Sequence, residues 1–151
     1  TVSIPQHIRA LNIELRLRYD RNISDLNRAT QVLSELQNDL ESSRQRSNTS
    51  EEITNDLRTQ VAEQERLVHN LNLSRANFLA EWKLNNLILR ANNAGRGPDA
   101  RPDPNLESEN IFINQEINRL RNQNLFSSFT IAVNDLTKRF QVELKRAGYG
   151  N

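Results

Sequence analysis

The sequence predicts an all-α protein, an elongated three-helix bundle or coiled coil made of a long helical hairpin plus a third long helix. Three observations carry this prediction. All four glycines and three of the four prolines lie after residue 94, so the first 90 residues contain only Pro5 as a helix breaker. Apolar residues recur at alternating intervals of three and four, which keeps one stripe of a helix turned toward a partner. No run alternates apolar and polar residues as a half-buried strand does. Leu, Ile, Val and Phe make up 41 of 151 residues, enough for the chain to fold. A hydrophobic share of 36% and a mean hydropathy of −0.75 still leave little material for a thick, round core. The expected organisation is a single helical domain over residues 1–151.

The first helix is expected over about residues 4–46. Ser3 and Gln6 form a capping-box pattern, with Pro5 in the first turn. Ile8, Leu11 and Leu15 open the apolar side, and Leu26, Ala29, Leu33, Leu36 and Leu40 continue it at bundle spacing. The segment SSRQRSNTS at 42–50 then offers weak helix formers and no large apolar residue. Thr49-x-x-Glu52 supplies a second capping box, and Glu51, Glu52 and Asp56 favour a helix start. A turn near 46–50 therefore separates the first helix from a second one over about 50–92. One unbroken helix competes with this reading, because the same phase runs on through Ser47, Ser50, Thr54, Leu57, Val61, Gln64, Val68, Leu71, Arg75, Phe78, Trp82, Asn85 and Leu89. The hairpin is preferred because the polar patch coincides with the cap signal and leaves two arms of matching length.

Asn92–Asn93–Ala94–Gly95 stops the second helix, and the Gly/Pro segment that follows makes a loop over 93–105. Asn105 or Ser108 can cap a third helix over about 106–147, with Glu107 and Glu109 in its first turn. Its stripe carries Ile113, Ile117 and Leu120, is interrupted at Asn122–Gln123–Asn124, and resumes in a shifted phase at Phe126, Phe129, Val133, Leu136, Phe140 and Leu144 before Gly148 and Gly150. With four of the five phenylalanines, this helix is expected to be the best buried of the three. Charge agrees with an up-down-up order. Residues 35–56 hold six acids against two arginines, while 138–146 hold four bases against Glu143, and that order brings the two segments to one end.

The chain is poor in reactive groups. It has no cysteine, which excludes disulfides, thiolate zinc sites and iron–sulfur clusters. Its uninterrupted apolar stretches, such as Leu87–Ile88–Leu89, are far short of a membrane span, and no secretory signal is visible at its start. His7 and His69 are its only histidines and belong to no ligand pair, and the glycine loop has no phosphate-binding register. No catalytic, cofactor-binding or metal-ligating residue is expected, and no cofactor or small-molecule substrate. Trp82 reads as a core or interface anchor. Asn85, on the stripe, reads as a register-fixing asparagine.

What remains is association. The residues expected to line core or interface seams are Leu26, Leu33, Leu36, Leu40, Leu57, Val61, Val68, Leu71, Phe78, Trp82, Phe126, Phe129, Val133, Leu136 and Phe140. The leading expectation is a non-enzymatic structural or interaction protein that self-associates into an oligomer or larger assembly, or pairs with another helical protein, because such slim stripes bury little area within one chain. The composition also carries 17 arginines and 3 lysines. Arginine forks hold carboxylates or phosphates bidentately, so a second expectation is a coat-like or nucleoprotein subunit packaging nucleic acid. Its candidate contacts are Arg9, Arg16, Arg21, Arg28, Lys138, Arg139, Lys145 and Arg146, which fall into pairs spaced by seven. A net charge of only +1, mixed in sign along every helix, favours salt bridges as the use of these arginines.

Overall fold

The computed structural model describes residues 4–46 and 48–146, apart from the side chains of Ile4, Glu143 and Leu144. The chain is an all-α helical bundle of four helices: α1 (Ile4–Gln45), α2 (Glu51–Ala94), α3 (Pro104–Asn122) and α4 (Phe126–Arg146). Among the described residues there is no strand. The expected Ser3 cap, the stripe positions Ser47 and Leu144, and the terminal glycines 148 and 150 lie outside what is described. The chain divides into two compact units. One comprises residues 1–19 with 75–151 and the other residues 20–74.

The 20–74 unit is a helical hairpin. α1 ends at Gln45 and α2 begins at Glu51, so the chain reverses between the two helices where the polar patch predicts a turn. The cap falls one residue later than Thr49: the Ser50 hydroxyl accepts from the Ile53 amide at 3.2 Å, and Glu51 and Glu52 occupy the first turn of α2. The arms run antiparallel and are tied by polar side chains. Ser43 Oγ lies 2.6 Å from Thr54 Oγ1, Gln64 Nε2 donates to the Ala29 carbonyl at 2.9 Å, and Asn22 Nδ2 donates to the Leu71 carbonyl at 3.2 Å. Leu26, Ala29, Leu40 and Val61 are its buried apolar residues.

In the other unit, the N-terminal part of α1, the C-terminal part of α2, and α3 alternate in direction. Ile8, Leu89 and Leu106 cluster toward one end. Further along, Tyr19 and Trp82 stack at 5.8 Å in a tilted pair, and Trp82 meets Phe112 at 5.7 Å. α2 supplies the largest share of this core among the described residues, with Leu79, Ala80 and Trp82 at most 1% exposed. The third helix is therefore not the best buried one, since Phe112 is 40% exposed and, of the phenylalanines in α3 and α4, only Phe129 is buried.

α3 begins two residues earlier than an Asn105 cap would place it and five earlier than a Ser108 cap would. Asp103 is the N-cap, its side chain accepting from the Asn105 amide at 2.9 Å, and Pro104 follows at the first helical position. The single third helix expected over 106–147 is broken at the Asn122–Gln123–Asn124 interruption. Asn124 sits at φ 60, the Leu125 amide donates to the Leu120 carbonyl at 2.8 Å, and the Asn124 amide donates to the Arg121 carbonyl at 3.2 Å. This is a Schellman closure with asparagine in the left-handed position. The change of phase in the stripe is thus the mark of a second helix. The Arg121 guanidinium lies 4.3 Å from the Phe126 ring centre, adding a cation–π contact across the break.

Candidate interaction surfaces

Two kinds of feature could carry function: polar groups held inside the bundle, and apolar or charged faces left outside it. Most of the inner polar groups lie in the unit formed by 1–19 and 75–151, with Asn22 and Ser43 buried in the hairpin. Tyr19, 1% exposed, donates its hydroxyl to Glu116 Oε1 at 2.6 Å, and Glu116 is itself only 4% exposed. The second oxygen of Glu116 meets Arg119 Nη1 at 3.2 Å. Buried Arg75 donates to Gln123 Oε1 at 2.6 Å. One turn after Tyr19's neighbour Trp82, Asn86 donates to the Leu106 carbonyl at 3.0 Å and faces Glu109 Oε2 at 3.4 Å, while the Trp82 indole N–H donates to Glu109 Oε1 at 2.5 Å. Arg90 closes the seam with a two-pronged bridge to Glu107 at 2.9 and 3.0 Å.

Burial and the hydrogen bond to Glu116 push the Tyr19 phenol well above its ordinary value, only partly offset by Arg75. Burial also raises the Glu81 carboxyl, with the Arg18 charge opposing it, and lowers the Lys83 ammonium, which Arg90 pushes further in the same direction. Several buried polar atoms among the described residues have no hydrogen-bond partner, namely Asn12 Oδ1, Asn22 Oδ1, Arg75 Nε, Asn85 Nδ2 and Asn86 Oδ1. Such atoms subtract from stability, and helices sliding out of register would strand more of them. The seam therefore acts on alignment. Its tyrosine is bonded to Glu116, while Glu109 accepts from Trp82 and Glu107 from Arg90, and no group of three or more His, Asp or Glu among the described residues is placed to hold a metal.

Sequence reasoning placed Asn85 on this seam but missed Asn86, Tyr19 and Glu116. For Glu116 the signal was present, since it lies among Ile113, Ile117 and Leu120 at helical spacing, a charge in an apolar register.

Of the expected seam residues, Leu26, Leu40, Val61, Trp82 and Phe129 are buried. Leu33, Leu36, Leu57, Val68, Leu71, Phe78, Phe126, Val133, Leu136 and Phe140 are half-buried. The eight candidate nucleic-acid contacts, Arg9, Arg16, Arg21, Arg28, Lys138, Arg139, Lys145 and Arg146, are all exposed. They are not gathered onto one element: the arginines at 9–28 belong to α1 and the remaining four to α4.

Other large apolar side chains stand outside. Ile13 and Leu17 are 69% and 64% exposed, one turn apart on α1, whereas Leu15 between them is buried. Ile53 and Leu67 on α2, Ile111 on α3, and Ile131 and Val142 on α4 are likewise exposed. Sequence periodicity did not single these out, because each lies off the main stripe. Among the described residues, no helix is long and apolar enough to cross a membrane.

Comparison with protein-family models, with curated proteins and with solved structures finds no match to this chain.

Proposed function

We propose that this protein is a non-enzymatic structural or interaction module that associates with copies of itself through helical-bundle surfaces. One observation carries the reading: the paired exposure of Ile13 and Leu17 on a helix whose opposite side is already buried. Isolated apolar side chains on a surface are ordinary, but neighbours on one helix face mark a surface that gains by being covered. The inner polar groups support it too, since Tyr19, Glu116, Arg75, Gln123, Trp82 and Glu109 are engaged with one another across the helices and so hold them together. Sedimentation equilibrium or light scattering across the micromolar range tests the proposal. A mass that rises with concentration is expected, and a fixed 17.5 kDa species would refute it.

A second reading, a subunit that packages nucleic acid, is favoured by the exposure of all eight candidate cations, none of which is in an ion pair among the described residues. Titration with single-stranded RNA at rising salt separates the two. Binding that falls linearly on a log–log salt plot supports packaging, and no binding at low salt removes it.

A further inference from the structure

We infer that self-association is head to tail, with the α1 face around Ile13 and Leu17 of one copy seated on the α2 face around Ile53 and Leu67 of the next. This rests on the self-association proposed above and names its surfaces. On α1, Ala10, Ile13 and Leu17 fall on one exposed side at spacings of three and four. Arg9 and Arg16, seven residues apart, border that side, and neither has an ion-pair partner among the described residues. The other border carries Glu14 and Arg18, which neutralise each other. The face is therefore apolar with one basic edge.

The exposed side of α2 in the hairpin is its counterpart. Ile53 and Leu67 are 53% and 46% exposed, with exposed Gln60 midway between them, so the three repeat at intervals of seven. Asp56 and Glu63 border this side, again seven residues apart, exposed and without an ion pair among the described residues. Each charged edge thus spans about 10 Å at 1.5 Å of rise per residue. Two guanidinium groups and two carboxylates at equal separation pair across the interface, while the aliphatic side chains between them leave water. The two faces are different surfaces, so a pair keeps one of each free, one on either copy. Association of this kind closes into a ring or continues as a filament.

The test uses the full chain and two exposed double reversals, R9E/R16E and D56R/E63R, with circular dichroism confirming that each keeps its helix content. The wild-type chain is expected to form species larger than a dimer. Each variant alone should weaken association by about tenfold or more, because it sets like charges against each other. Mixing the two variants should restore assembly, since every interface in the mixture again joins opposite charges. A wild-type chain that stays monomeric would overturn the self-association reading itself. Assembly of the wild type that both variants retain, or that mixing fails to restore, would overturn only the docking inference. The same fate follows if R9E/R16E loses binding to phosphatidylserine vesicles or to single-stranded RNA with no change in assembled mass, because the basic edge would then serve an anionic partner.

Discussion

Tyr19 shows how much depends on single polar contacts in a slim bundle. Its hydroxyl is the donor that satisfies one oxygen of the buried Glu116 carboxylate. Tyr19→Phe leaves that oxygen without a donor, and the expected loss is about 1–3 kcal/mol at neutral pH, read from chemical denaturation. The pH dependence has a definite sign. The folded-state pKa is raised above that of the unfolded chain, so the tyrosine's contribution is intact below the unfolded value of about 10 and is lost as pH climbs beyond it. The wild-type chain should therefore weaken in alkali more steeply than the phenylalanine variant. Parallel stability–pH profiles for the two proteins would show that Tyr19 does not govern this limb.

At the scale of elements, the helix ends decide where the chain changes direction, and two of them make sharp predictions. Ser50→Ala removes the acceptor for the Ile53 amide and should lower stability by about 1 kcal/mol. Asn124 is held at φ 60 by its place in the closure after α3. Asn124→Ala should cost about 1 kcal/mol, because alanine keeps the Cβ but lacks the short polar side chain that lets asparagine adopt the left-handed conformation, whereas Asn124→Gly, with no Cβ, should be neutral or slightly stabilising. Equal midpoints for the two variants would argue against the left-handed corner. These ends also show what the sequence makes legible. The hairpin turn was readable, since weak helix formers, a cap and a lapse in the stripe coincide at 42–50. The break at 122–124 was marked by three polar residues and a phase shift, but nothing in their chemistry forbids a helix; asparagine rather than glycine fills the left-handed position, and the stop signal is correspondingly weak. Asp103 was hard to read as a cap, since it stands between Pro102 and Pro104 in a proline-rich loop. The exposed faces were the least legible feature, since a stripe search looks for the residues a helix hides, and Ile13 and Ile53 are defined by remaining outside.

For the whole molecule, the two units differ in what fills them. The 20–74 hairpin buries Leu26, Leu40 and Val61 at 9% exposure and is cross-tied by serine, threonine, glutamine and asparagine side chains. The other unit holds Leu79, Ala80, Trp82, Ile113 and Leu120 at 0–1%. Local opening should follow this contrast, because thin apolar burial lowers the free energy at which a segment exchanges its amides. Hydrogen exchange is expected to be slowest in α2 around residues 79–89 and faster by at least about tenfold within 20–74. Uniform protection along α2 would show that the long helix opens as a single body.

The solitary indole at position 82 gives this architecture an intrinsic optical reporter. It is 1% exposed and bound to a carboxylate, so its emission should be blue in the native protein and move to the red when water reaches it. Because it belongs to only one of the two units, its signal follows that unit alone, whereas far-ultraviolet dichroism averages every helix. Heating curves recorded both ways should separate, the dichroism starting to fall before the emission shifts, as expected when a chain does not melt in one all-or-none step.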